Sequence, residues 1–134
     1  MSSATPQWKF RCELKPVISF PPEYSFAQAF NYLNAERNSF YILENENGNY
    51  IQCGGSKSSC CVEIRTYAKD GSYTHSLVGR QNGSIVPATV QMSAGVVPVL
   101  EGEVLTHWEA IELFKAFFAG DQIPDKYSLR PVDR

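Results

Sequence analysis

Asn47-Gly48 sits between two strand-forming runs, Ser39–Leu43 and Tyr50–Cys53. An Asn-Gly pair supplies the positive backbone φ of a tight hairpin turn, and it is the strongest short-range hairpin signal a sequence carries. Residues 39–53 therefore read as an antiparallel pair. The pattern repeats downstream. Cys60 to Tyr67 is strand-like, with Cys61, Glu63, Arg65 and Tyr67 on one side and Cys60, Val62, Ile64 and Thr66 on the other. A Lys69-Asp70-Gly71 turn then leads into Tyr73–Val78. Two successive hairpins commit the middle of the chain to an antiparallel sheet.

The flanks supply helices and outer strands. Trp8, Phe10, Cys12 and Leu14 alternate with Lys9, Arg11, Glu13 and Lys15, the period of a half-buried strand, and Pro16 ends it or places it at an edge. Residues 1–7 are polar and are expected to be flexible. Ser25 and Gln28 have capping-box spacing, and Phe26, Ala29, Phe30 and Leu33 follow at helical spacing, which predicts a helix near 25–36. Thr106 and Glu109 form a second capping box. Trp108, Ile111, Phe114, Phe117 and Phe118 make an apolar stripe, and Gly120 stands where a helix C-terminus needs it, so a helix is predicted near 107–119. Residues 79–95 read as loop with one short strand, and 96–100 as an edge strand because Pro98 lies inside it. The tail adds a short strand around Tyr127–Val132, with Leu129 and Val132 as its expected buried side chains. The whole is a single α+β domain over 1–134, an antiparallel sheet of about five or six strands packed with two helices. At 134 residues and 43% hydrophobic composition, it can build its core without metal or disulfide staples.

Composition excludes several function classes. The net charge is −2 and the Lys and Arg residues are scattered, so the basic footprint of a nucleic-acid binder is missing. No run resembles a signal peptide or a membrane span, which points to a cytoplasmic protein without a membrane partner. Cys12, Cys53, Cys60 and Cys61 follow no zinc-ligand spacing and read as reduced, strand-borne apolar residues; no cofactor or metal is implied. Gly54-Gly55-Ser56-Lys57-Ser58 lacks the phosphate-loop pattern and is followed by a strand, so it reads as a flexible hairpin connection.

The search for a reaction centre yields little. Cys60 or Cys61 with His75 could form a thiol site, but adjacent strand residues face opposite ways and no basic group stands ready to lower a thiol pKa. His75 and His107 both read as exposed. The carboxylates are more suggestive. Glu44 and Glu46 share a hairpin tip with Asn47, and Glu101, Glu103, Glu109 and Glu112 surround the start of the second helix. Together they suggest an acidic docking surface, with Tyr73, His75 and Arg80 as hydrogen-bonding anchors.

Three stretches carry a family resemblance. The first runs Tyr50-Ile51-Gln52-Cys53-Gly54-Gly55, Val62-Glu63-Ile64-Arg65 and Tyr73-Thr74-His75. The second is Leu105-Thr106 with Trp108-Glu109-Ala110-Ile111, Phe114 and Phe117; the third is Gly120, Pro124 and Tyr127-Ser128-Leu129-Arg130. In this order they resemble small bacterial immunity proteins of polymorphic-toxin systems, over roughly the last 95 residues. The resemblance implies a non-enzymatic protein that binds a cognate toxin C-terminal domain in the cytosol and blocks its active site or substrate access. The toxin would be delivered by contact-dependent inhibition or type VI secretion. It implies no small-molecule substrate, and it transfers framework residues rather than a contact map. The toxin-binding candidates are therefore the exposed charged and aromatic positions Glu44, Glu46, Asn47, Tyr73, His75, Arg80, Glu101 and Glu103. A small enzyme with a Cys/His site, or a structural subunit of a larger complex, are the alternatives.

Overall fold

The computed structural model describes residues 8–13, 18–19 and 25–134. The readings of 1–7 as flexible, of Pro16 as a strand stop and of Ser25 as a helix cap lie outside those residues or side chains. Among the described residues, nine strands and two α-helices follow one another as β1 (Lys9–Cys12), β2 (Ile18–Ser19), α1 (Ser25–Phe30), β3 (Phe40–Glu44), β4 (Tyr50–Gly55), β5 (Cys60–Tyr67), β6 (Tyr73–Arg80), β7 (Pro87–Met92), β8 (Gly95–Leu100), α2 (His107–Ala119) and β9 (Tyr127–Pro131). The main sheet is antiparallel in the order β2-β1-β3-β4-β5-β6-β9, and β7-β8 form a separate ribbon. Six of the main strands are four residues or longer, and the two-residue β2 ends the row. The chain is an α+β domain, as its sequence predicts.

Register explains the layers. Val62 lies opposite Val78 and Ile64 opposite Ser76, so these side chains share one face. Phe10, Tyr41, Leu43, Ile51 and Cys53 join them, and both helices pack on that face. The centre of this core is aromatic. Phe114 of α2 meets Phe30, Phe26 and Phe10 edge-on, at centroid separations of 4.9, 6.0 and 6.4 Å. Edge-to-face rings add about 0.5–1.5 kcal/mol per pair beyond burial. The opposite face is half covered by the β7-β8 ribbon, which buries Val90 and Val99 on Cys61 and Leu77.

Two elements, α1 and β9, depart from the sequence reading. Helix α1 stops at Phe30 rather than running to 36. Asn31, Tyr32 and Leu33 donate three residues back rather than four, and the Asn34 side chain then accepts the amides of Glu36 and Arg37. An asparagine that satisfies local amides competes with helix continuation. The short strand expected within 79–95 is the six-residue β7, and the edge strand expected at 96–100 is β8; the two pair with each other as a hairpin. Leu129 is 48% exposed although it lies in β9, whereas Tyr127 is buried; Val132 is half-buried. Pro131 occupies the outer strand of the sheet, where its missing N–H faces away from β6.

Helix α2 starts as predicted. Thr106 Oγ1 accepts the Glu109 amide and the Glu109 carboxylate accepts the Thr106 amide at 2.9 Å. Thr106→Ala should lower stability by about 1 kcal/mol, read from the urea midpoint; an unchanged midpoint would mean that packing alone sets this terminus. Among the described residues no helix is long and apolar enough to cross a membrane.

Candidate functional site

The ribbon-covered face of the sheet carries one polar row. Glu44 lies opposite Tyr50, Tyr50 opposite Arg65, and Arg65 opposite His75, so four side chains from four neighbouring strands line up across the sheet. One row away on the same face, Gln52 lies opposite Glu63. A concavity of about 450 Å³ opens over Tyr50, Gln52, Glu63, Arg65 and His75 and is walled by Met92, Val96, Val97 and Pro98 of the ribbon and by Arg134.

Its floor is a closed hydrogen-bond network. Glu63 and His75 are each 4% exposed. Arg65 Nε donates to His75 Nδ1 at 3.1 Å, which places the ring proton on Nε2, where it faces Glu63 Oε1 at 2.8 Å. Arg134 Nη1 also donates to Glu63 Oε1, and Gln52 Nε2 donates to Oε2 at 3.3 Å. Both histidine nitrogens and both carboxylate oxygens are thus occupied. Above this floor the Arg65 guanidinium stacks on Tyr73, 4.0 Å from the ring centroid, and on Tyr50 at 5.5 Å. Tyr73 donates its hydroxyl to the Arg134 carbonyl at 2.7 Å and lies 5.5 Å from the Tyr67 ring. The rim therefore consists of partly exposed tyrosine and arginine side chains held in fixed orientations.

No protein family, curated protein or solved structure matches this chain. The site is read from its own chemistry.

The sequence candidates divide between the two ends of the sheet. Glu44, Tyr73 and His75 belong to the row or its rim, and Glu46 and Asn47 sit on the adjoining β3–β4 turn. His75 is buried, contrary to the exposed position expected for it, because Glu63 and Arg65 satisfy its ring. Arg80, Glu101 and Glu103 lie at the other end and do not form the expected acidic face. Arg80 makes a two-pronged bond to Glu109 at 2.9 and 2.6 Å. Glu103 is buried under a similar fork from Arg130, at 2.8 and 2.8 Å. Glu101 accepts from Ser84, and Glu112 from Lys126 and Tyr127. His107, also expected at the surface, is buried: its amide and ring nitrogen both reach the Lys57 carbonyl. The same contact ties the Gly54–Ser59 connection to the start of α2.

Sequence reasoning missed Tyr50, Gln52, Glu63, Arg65 and Arg134. The available signal was Glu63, a carboxylate inside a strand whose neighbours Val62 and Ile64 are apolar.

Thiol chemistry finds no support in this geometry. Cys60 packs toward the helices and Cys61 toward the ribbon, so only Cys61 shares a face with His75. Burial, and next the Glu63 carboxylate, push the Cys61 thiol up to about 12, and burial raises Cys53 as well. Such thiols stay protonated at neutral pH and are poor nucleophiles. Among the described residues no three His, Cys, Asp or Glu side chains converge as metal ligands.

The ion pairs at the far end give an acid-stability prediction. Burial pushes the Glu103 and Glu109 carboxyls up, but Arg130 and Arg80 together with backbone amides more than offset this, so both lie below the ordinary value. Glu112 is lowered by Lys126 and Tyr127. A carboxyl depressed in the folded state contributes stability above its unfolded pKa, and loses it as pH falls through the folded pKa. The urea midpoint should hold from pH 7 to about 5 and fall below the unfolded glutamate value of about 4.3. Arg130→Met should flatten that acid limb; an unchanged limb would show that the pair is not responsible.

Proposed function

We propose that this chain works as an immunity-type binding protein, capturing a toxin domain and obstructing its active site or substrate entry in the cytosol. The observation that carries the reading is the division of labour at the polar row. The buried groups there that could run a reaction, Glu63 and His75, are each engaged by other side chains, whereas the rim presents Tyr67, Tyr73 and Arg65. General acid–base work requires a group free to exchange a proton with substrate. Recognition requires rigid, partly exposed aromatic and guanidinium groups, the types that dominate protein–protein hot spots. The motif resemblance points the same way and supplies the class of partner.

The direct test is co-purification with a toxin-like domain encoded by a gene adjacent to that of this chain, together with protection of cells expressing that domain; an adjacent gene without such a domain would count against the reading. No complex at micromolar concentration and no protection would overturn the proposal. Tyr73→Ala removes a half-exposed ring and the stack that orients Arg65. It should weaken the complex about 30-fold, the effect of an ordinary hot-spot residue of about 2 kcal/mol, with circular dichroism unchanged. Equal affinity in a titration of the two proteins would place the contact elsewhere.

A further inference from the structure

A cavity of about 710 Å³ lies on the helix side of the sheet, away from the polar row. Ile64 of β5 and Leu129 of β9 contribute from the sheet, while Phe117, Ile123 and Pro124 contribute from the end of α2 and the segment that follows it. Leu129 is the half-exposed leucine whose burial the sequence predicts, so the groove leaves apolar surface open to water.

The electrostatics of this groove are one-sided. Asp121 and Asp125 line it, both are exposed, and among the described residues neither carboxylate has a hydrogen-bond or ion-pair partner. Asp121 follows Gly120, the C-cap of α2, whose last turn contains no basic side chain. The C-terminal end of a helix carries about half a negative charge, and a cation is the stabilising occupant there. Placing a carboxylate at that end concentrates negative potential without any folding benefit. Lys126, the adjacent cation, is already bonded to Glu112 at 2.9 Å. The groove thus combines an apolar floor, two unpaired carboxylates and a helix C-terminus without a counter-charge.

We propose that this groove receives a basic, alternately apolar extended segment of the partner protein. The proposal rests on the binding role above and specifies the chemistry of the partner. Alternate residues of an extended segment point to opposite sides. Leucine- or isoleucine-type side chains would then cover Ile64 and Leu129, while intervening Lys or Arg side chains reach Asp121 and Asp125. The groove and the aromatic rim lie on opposite faces of β5 near the same end of the sheet. Thr66 lines the groove, and the next residue, Tyr67, stands on the rim side.

The test is a two-dimensional amide NMR titration of the full chain with the blocked peptide Lys-Leu-Lys-Leu-Lys-Leu-Lys, beside its Glu-for-Lys counterpart. Saturable shifts confined to residues around Ile64, Thr66, Gln81 and Leu129, and seen only with the basic peptide, are expected. Asp121→Lys with Asp125→Lys should weaken this binding at least tenfold. It should leave the thermal midpoint unchanged or raised, since a lysine now answers the end of α2. Leu129→Ser should weaken it as well. No saturable binding at millimolar peptide, equal binding of the acidic peptide, scattered shifts, or equal binding by the charge-reversed protein would each overturn the groove assignment. Those outcomes are independent of the toxin-domain titration, which decides the immunity reading by itself.

Discussion

Gly55→Ala should destabilise the domain by about 3 kcal/mol or more, seen as a large drop in the urea midpoint. Gly55 has φ +127°, in the region that side chains with a Cβ avoid. A Cβ built there would lie 2.4 Å from the Ser59 carbonyl oxygen, 2.7 Å from Val90 Cγ1 and 2.9 Å from Cys60 Cα. Two of those three atoms are backbone, held by the β4–β5 ladder and by the exchange of hydrogen bonds between Cys60 and Leu105. Backbone strain of about 1–3 kcal/mol therefore adds to an overpacking penalty of similar size. Gly71→Ala is the control. Gly71 also has a positive φ, +89°, but nothing lies within 4 Å of its Cβ position. That change should cost about 1 kcal/mol. Equal losses at the two positions would mean that backbone conformation, not the contact between the sheet and the ribbon, sets the requirement at Gly55. Gly54 belongs to the same contact, because a Cβ there would meet Met92 Sδ at 2.6 Å. The Gly-Gly pair, superficially a phosphate-binding loop, is where the β7-β8 ribbon rests on the sheet.

That ribbon also shows where sequence patterning loses its reach. Strands β3 and β4 alternate because one face meets the aromatic core, and turn chemistry marks the ends of β3 to β6, so these four are legible in the sequence. β7 buries Val90 as its single fully covered side chain. One buried residue produces no period, and the segment reads as loop with one short strand. The functional face was hidden for a different reason. Glu44, Tyr50, Arg65 and His75 become neighbours only through the registers of three strand pairs, although the side of β5 that holds Glu63 and Arg65 follows from alternation alone. The acidic face expected near α2 failed through long-range pairing. Glu103, Glu109 and Glu112 find their cations in Arg130, Arg80 and Lys126, and nothing local in the sequence announces those partners.

The buried Glu63–His75 pair should behave as a positioning device whose removal can be repaired for stability but not for binding. Glu63→Ala takes the acceptor from His75 Nε2–H, from Arg134 and from Gln52 at once. Deleting one member of a buried pair usually costs about 3–5 kcal/mol. The lower end, about 3 kcal/mol, is expected, because the Arg134 side chain is 31% exposed and can turn to water. His75→Ala should cost less, since Glu63 keeps Arg134 and Gln52. The double change Glu63→Leu with His75→Leu removes both buried polar side chains of the pair. The donors left behind on Gln52, Arg65 and Arg134 are partly exposed and can turn to water. Stability should therefore return to within about 1–2 kcal/mol of the parent. Paired apolar replacements are often neutral where single deletions are not. Arg65, however, loses the Nδ1 acceptor that fixes its Nε, and only its bond to the Arg134 carbonyl at 3.0 Å and the tyrosine rings still orient it. Under the proposed binding role, the stable double variant should therefore bind its partner at least tenfold more weakly than the parent, with the loss appearing mainly in the dissociation rate. If the repaired variant instead binds like the parent, the pair serves the fold alone and Arg65 needs no guidance from it. A double variant no more stable than Glu63→Ala would sink the account of the pair as a satisfied polar unit.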